Sequence, residues 1–346
     1  MNKLPPNPLL RAPTIRDVAR EAGVSIGTVS KVLNNTGTLA AITRARVAAV
    51  VQRLQFRPNT LAQSLHSGLS GSIGLMSNDR YGRFTLPIME GLESVLAPAG
   101  IGVFMCNATD DPAREQSHID QMMAKQIDGL VVTARKSDHR ASVDLSGLGL
   151  PVIHVLAHAD DPAALTLLPD DAGGARLAVA HLAALGRRRI AHVTGPDYFE
   201  AVRLRVAGYH AGLTDAGLAA RPVLHGTWSE SWGRDAVAQM FESDLGPDAI
   251  FCGNDQIARG AADALREMGL TVPDDVALIG FDNWAVIAEA CRPPLTSVDM
   301  NLTELGAEAG RRMLAMIGGD TGGISTRLAC SLVVRASSGP AQNLGE

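Results

Sequence analysis

The chain has 346 residues, 46% of them hydrophobic and 19% charged. That is enough apolar material for a sizeable core; it excludes a disordered chain and implies more than one folding unit. The net charge of −5 conceals two parts of opposite sign: residues 1–68 carry nine Lys/Arg against Asp17 and Glu21, a net +7, leaving 22 basic and 34 acidic residues, a net −12, for the rest. A basic head on an acidic body is the pattern of a nucleic-acid module joined to a regulatory domain. Cys106, Cys252, Cys291 and Cys330 lie far apart without a C-x-x-C pair, so they read as free thiols in a reducing compartment. The opening MNKLPPNPLLRAP is too rich in proline for a secretory signal, and no later segment has the length of a membrane span, so a cytoplasmic location is expected.

In chain order, Thr14 followed by Asp17 predicts a capping box, and Ile15, Val18, Ala19 and Ala22 place one apolar stripe at helical spacing. Gly23 suits a left-handed turn, and Ser25 predicts the cap of a second helix burying Val29, Val32 and Leu33. Small Ala19, four residues before Gly23, lets the two helices cross closely. Together these form a helix-turn-helix signal. A third helix, capped by Thr43, carries Val47, Val50, Val51 and Leu54 inward and Arg44, Arg46 and Arg53 outward until Pro58. Asn59 then caps a short helix, Thr60 to His66, whose Leu61, Ala62 and Leu65 need an apolar partner. A plain linker helix is the ordinary alternative.

From Ser72 onward β-rich runs alternate with helices: SIGLM, IGVFMC, GLVVTA, PVIHVL, RIAHVTG, DAIFCG, VALIGF and TRLACSLVV, with crossovers at Ala113–Lys125, Ala172–Gly186, Ile257–Met268 and Leu302–Ile317. The restart after Pro169 implies two similar α/β lobes with a ligand cleft at the carboxyl ends of their strands. Enzyme signatures are missing from the pattern: Gly68, Gly71 and Gly74 precede a strand instead of opening a helix, no H-E-x-x-H or G-x-S-x-G occurs, and GGDTGG at 318–323 reads as a loop.

TIRDVAREAGVSIGTVSKVLN (Thr14–Asn34) with TRARVAAVVQRLQFRPNTLAQSL (Thr43–Leu65) resembles the head and hinge of the lactose-repressor family, LacI/GalR. The resemblance continues through RLRVAGYHAGL (Arg203–Leu213), FCGNDQIARGAADALREMGLTVPDDVALIGFDN (Phe251–Asn283) and PPLTSVDMNLTELG (Pro293–Gly306), covering nearly everything after Pro13. It implies an all-α helix-turn-helix head on an α/β two-lobed periplasmic-binding-protein-like core. The expected divisions are a head over 1–57, a hinge and linker over 58–71, and a core over 72–340. Within the core, the N-lobe takes about 72–168 and 300–325, the C-lobe about 169–297 and 326–340.

By position, the resemblance assigns Ile26, Gly27 and Lys31 to base edges and Thr14, Ser25, Thr28, Ser30, Asn34 and Asn59 to the DNA backbone. Hydroxyls and amides bond phosphate, Lys31 suits guanine, and Ile26 suits a thymine methyl. Gly27 offers no side chain, which shifts specificity toward DNA deformation. Leu65 matches the family's minor-groove wedge, and Ala62 lets two hinge helices approach. For the effector, the resemblance points to Arg205, Asn254 and Asp282, with Trp228 stacking on a sugar ring and Phe84 and Thr133 on the N-lobe side. Ordinary alternatives are a surface salt bridge for Arg205, a helix cap for Asn254, a turn for Asp282 and core packing for Trp228. DRYGRFTL departs from the family pattern at Asp79–Leu86, Pro87 is expected to shorten the next helix, and Leu156 and Met300 stand where polar residues are frequent.

The function expected is that of a dimeric or tetrameric repressor of a pseudo-palindromic DNA operator, controlled by a small-molecule effector of the sugar class, without cofactor, metal, membrane contact or catalysis. A purine- or nucleoside-responsive corepressed regulator is the alternative within the class. A solute-binding transport receptor is the alternative outside it, and a sugar-modifying enzyme stands third.

Overall fold

The computed structural model describes residues 13–33, 36–56, 68–108, 111–134, 143–159, 161, 163–242, 246–321 and 323–339. The chain divides into two compact units, Met1–Ser70 and Gly71–Glu346.

In the first unit three helices are described: α1 (Ile15–Ala22), α2 (Ile26–Leu33) and α3 (Ala41–Arg53). Val18, Ala19, Ala22, Val29, Val47, Val50 and Phe56 form their common core. Helix α3 departs from expectation at its start. It begins two residues before Thr43, with Ala40 at the cap position and no side-chain cap bond, so Thr43 is an in-helix residue whose N–H bonds the Ala40 carbonyl at 2.9 Å. The Arg53 guanidinium reaches across to Glu21 of α1 at 2.6 Å, an exposed pair of the kind that contributes little.

The second unit contains two sheets of the same topology. The N-lobe sheet has the order β11-β5-β4-β3-β1-β2 and the C-lobe sheet the order β12-β10-β9-β8-β6-β7. The N-lobe strands are β1 (Ser72–Ser77), β2 (Gly102–Asn107), β3 (Leu130–Thr133), β4 (Val152–Val155), β5 (Leu165–Pro169) and β11 (Thr326–Leu328). The C-lobe strands are β6 (Ile190–Thr194), β7 (Val223–His225), β8 (Ala249–Cys252), β9 (Ala277–Phe281), β10 (Thr296–Asp299) and β12 (Ser331–Val333). All neighbours run parallel except β10 and β12. Strands β3, β6, β8 and β9 are buried along their whole length, as parallel strands covered on both faces must be.

The helices covering these sheets are α4 (Thr85–Leu96), α5 (Pro112–Ala124), α6 (Asp171–Ala184), α7 (Glu200–Asp215), α8 (Glu230–Phe241), α9 (Asp255–Glu267), the short α10 (Ala285–Ala288) and α11 (Leu302–Ile317). Pro87 lies in the first turn of α4, directly after Leu86, whose N–H bonds the Gly82 carbonyl at 2.9 Å; without an N–H, Pro87 cannot extend that ladder to the Arg83 carbonyl, in keeping with the expected shortening. Helices α4 and α11 pack backbone to backbone, since a Cβ on Gly91 would fall 1.9 Å from the Thr303 carbonyl oxygen.

TRLACSLVV, read as one strand, is two. Strand β11 pairs with β5 in the N-lobe, and β12 pairs with β10 in the C-lobe. The lobe boundary expected at 326 therefore misplaces β11, and the crossing falls between Leu328 and Ser331. The other crossings lie at Pro169–Asp171 and Asp299–Leu302. The three are tied together: Cys330 Sγ donates to the Asp170 carbonyl at 3.3 Å, and Asn301 Nδ2 to the Ala329 carbonyl at 2.8 Å.

Candidate functional site

The head derives its shape from local bonds. Asp17 N–H donates to Thr14 Oγ1 and Thr14 N–H to Asp17 Oδ2, closing the capping box. Gly23 takes φ +63° at the turn, and Ser25 Oγ accepts from Thr28 N–H at 3.1 Å. Burial of Val29 fixes the rotation of α2, which leaves Ile26 (45% exposed), Gly27 and Lys31 on the outward face. Ser25 is exposed, and Thr14, Thr28 and Ser30 are half-buried. Asn34, Asn59, Ala62 and Leu65 lie outside the described residues.

The second unit holds a cavity of ≈ 520 Å³ between its lobes, lined by segments that follow the carboxyl ends of strands, the place where open α/β sheets bind ligands. The N-lobe brings Asp79, Tyr81, Arg83 and Phe84 from the β1–α4 connection and Leu156 from the end of β4. Asp171 and Arg205 come from α6 and α7, Trp228 follows β7, Asn254 and Gln256 follow β8, Asp282 and Trp284 follow β9, and Met300 follows β10. Five of the six expected effector residues meet here: Phe84, Arg205, Trp228, Asn254 and Asp282. Thr133 does not. Its side chain turns into a separate small recess with Ser77, Asn78 and Glu115, where Oγ1 is buried and has no hydrogen-bond partner among the described residues.

Arg205 is not a surface salt bridge, since its side chain is 6% exposed. Nε donates to Asp171 Oδ1 at 2.8 Å, Nη1 donates to the Gly253 carbonyl at 2.5 Å, Nη2 lies 3.8 Å from Asp282 Oδ1, and the guanidinium stacks 3.6 Å from the Phe281 ring centroid. Asn254 caps α9, with Oδ1 accepting from Ile257 N–H at 2.8 Å. Asp282 has φ +97° and Asn283 φ +49°, left-handed conformations that are sterically costly for such residues and that turn the Asp282 carboxylate into the cleft. Trp228 both packs and lines: it covers Gly195, where a Cβ would sit 2.3 Å from the indole, and it borders the cavity.

Burial raises the carboxyls of Asp171 and Asp282 above the usual range, and the neighbouring guanidiniums oppose this only in part. Asp255, first residue of α9, is pushed up to about 7 by burial and by the nearby Asp282. It accepts from Ser297 Oγ and from Trp284 N–H, each at 2.6 Å.

The sequence reading missed Arg83, Asp171 and Trp284. Arg83 stands inside the segment marked as a departure from the family, and its partners are about 200 residues away. Its guanidinium donates to Asp282 Oδ2 and, at 3.1 Å, to Gln256 Oε1. A second bridge between lobes joins His158 Nε2 to Glu200 Oε2 at 2.7 Å. Among the described residues no three His, Cys, Asp or Glu side chains gather as metal ligands, and no helix is long and apolar enough to cross a membrane.

A compact helix-turn-helix unit together with a two-lobed α/β core around a ligand-sized cleft defines a DNA-binding regulator with an effector-binding core. Residues 14–59 match the family of bacterial regulatory proteins called the lacI family, and residues 179–338 match the periplasmic binding protein-like domain. The chain is 30% identical to the HTH-type transcriptional repressor PurR of Aliivibrio salmonicida (strain LFI1238), covering 88% of this chain and 92% of that one. A Lac repressor dimer bound to operator and the anti-inducer ONPF is similar in structure, with TM-score 0.75, 28% identity, and 95% and 100% of the two chains covered. A complex of the regulator CelR with cellobiose is similar at TM-score 0.66 and 27% identity, covering 94% of this chain and 99% of that one. The chain belongs to the lacI family of bacterial regulatory proteins, and it is a DNA-binding transcription regulator.

Proposed function

We infer that the chain is a cytoplasmic repressor that binds a pseudo-palindromic operator as a homodimer and releases or grips it according to a sugar-class effector held between the lobes. The observation carrying this reading is the cleft itself: a guanidinium, an amide and a carboxylate (Arg205, Asn254, Asp282) facing indole and phenyl walls (Trp228, Trp284, Phe84). Polar forks of that kind hold neighbouring hydroxyls, while the rings take the apolar face of a pyranose. The complex of the similar CelR with cellobiose supports the same class. A purine or nucleoside is the second reading, favoured by the same aromatic walls, which stack a nucleobase equally well.

In the head, the exposed Ile26, Gly27 and Lys31 read base edges in the major groove, and Thr14, Ser25, Thr28 and Ser30 contact the backbone together with Asn34 and Asn59. Leu65, helped by the small Ala62, wedges into the minor groove. The effector acts through its differential affinity for the two lobe arrangements. The relatives are regulators rather than enzymes, and binding without turnover is the matching expectation here.

The test has two arms. Selection from a random duplex library enriches an inverted repeat with the wild-type protein, and Leu65→Ala loses that enrichment while its core still unfolds at the wild-type temperature. A thermal-shift screen of neutral sugars, sugar phosphates, polyols and nucleobases then identifies compounds that both stabilise the core and change the DNA affinity. Sugars that leave both unchanged while a nucleobase alters both would replace the first reading by the second.

A further inference from the structure

Arg83 crosses the cleft. It belongs to the β1–α4 connection of the N-lobe, yet its Nη atoms donate to Asp282 and Gln256, both of the C-lobe. The guanidinium is held between a ring from each lobe, with Cζ 4.9 Å from the Phe84 centroid and 4.6 Å from that of Trp284. Trp284 is itself fixed through its N–H on Asp255. The Arg83 and Asp282 side chains are 12% and 7% exposed, so the pair is a charge-assisted bond in a largely water-free site, where the cost of burial offsets part of the attraction. Nε of Arg83 is buried and has no hydrogen-bond partner among the described residues, so the fork is only partly satisfied.

Two consequences follow for the cleft. The carboxylate that would accept a ligand's hydroxyls already has an occupant, and that occupant comes from the opposite lobe. The ionic groups carry an acidic excess: Arg83 and Arg205 face Asp171 and Asp282, and Asp79, bonded by the N–H groups of Phe84 and Thr85, adds a third carboxylate to the lining. Once Arg83 leaves, Arg205 faces these carboxylates alone, and an anionic ligand would add to their uncompensated charge against largely apolar walls, which is costly.

Resting on the reading of this cavity as the effector site, we propose that Arg83 is an internal occupant of the effector subsite and sets its selectivity: an uncharged polyhydroxylated effector takes Asp282 by displacing Arg83. Asp282 then keeps Arg205 as its counterion, and Arg83 moves toward water, where its neighbours Arg80 and Tyr81 are already exposed. Ligand binding exchanges a contact between lobes for contacts to the ligand, so selectivity and the position of the Asn78–Phe84 segment are set by the same side chain.

The test uses full-length protein as wild type, Arg83→Ala and Arg83→Gln, so that a folding defect in one variant does not decide the result. Without ligand, amide hydrogen exchange over residues 78–85 is expected to be several-fold faster in both variants, because the segment has lost its C-lobe anchor. Calorimetric titration with cellobiose, glucose, glucose 6-phosphate and gluconate is expected to show the variants binding a neutral sugar about tenfold more tightly than wild type, with no gain for the anionic pair. Unchanged exchange, weaker or equal sugar binding in the variants, tighter wild-type binding of the anionic probes, or no neutral sugar bound by any of the three proteins each overturns the proposal. The regulator reading is judged separately, since each of those outcomes leaves the ligand-free protein's binding of its selected duplex to be measured.

Discussion

Arg205 holds two buried carboxylates in place, and much of its chemistry is spent inside the protein. The sequence reading put a guanidinium at the cleft, which is where it lies, but its Nε and Nη1 donors are committed to Asp171 and the Gly253 carbonyl. Such commitments join residues 34 and 48 positions apart and leave no local pattern to read. Arg205→Ala strands Asp171 in the interior and leaves Asp282 with Arg83 alone, and breaking a buried pair costs about 3–5 kcal/mol. Both carboxyls already titrate above their usual range through burial, so they accept protons readily and the damage is smaller in acid. Thermal unfolding of Arg205→Ala is therefore expected to show a large loss of Tm at pH 8 and a smaller one at pH 5. Equal losses at both values would mean that the carboxylates are not what Arg205 stabilises. Arg83 shows the limit of sequence reading more sharply, since nothing near it in the chain announces a partner at Asp282.

Elements with strong local signals are where the sequence is most legible. The capping box of α1, the glycine turn and the Ser25 cap are short-range chemistry, and all are present. The α3 start is misread because Thr43 is a good cap by type, whereas helix begins earlier with no side-chain cap. Strand β7 escapes notice because it has only three residues, whereas β5 and β10 are missed although they are no shorter than β3, β4 and β8; β11 and β12 merge in the sequence because only the sheets they join distinguish them. A single carboxylate also links elements: Asp255 at the start of α9 bonds Ser297 of β10 and the backbone before α10. Its pKa is about 7 in the fold against 3.8 as the ordinary value. The folded state thus holds a proton that the unfolded state has released. The stability this confers is complete below about pH 4 and is lost as pH rises through about 7, with a slope of up to ~1.4 kcal/mol per pH unit. Denaturant titrations from pH 4 to 8 are expected to show this fall in wild type and a flatter profile in Asp255→Asn. Parallel profiles would contradict the assignment.

At the scale of the whole molecule, the split of charge between residues 1–68 and the rest was the most informative global feature, and the division at Ser70–Gly71 falls beside it. The doubled topology of the core places the cleft at two sets of strand ends, and three crossings tied by Asn301 and Cys330 leave the lobes joined but separable. Within that cleft, Leu156 and Met300, read from the sequence as departures from a family pattern in which polar residues are frequent, line the wall, so the fold was legible while the ligand's identity was not. The most direct test of the account is fluorescence anisotropy of the selected inverted-repeat duplex, titrated with full-length protein over a range of salt, with and without the compound that stabilises the core. The expected affinity falls steeply with salt, as phosphate contacts require, and shifts at every salt concentration when the compound is present. An affinity for DNA that is the same with and without the compound, at saturating occupancy of the cleft, would contradict it.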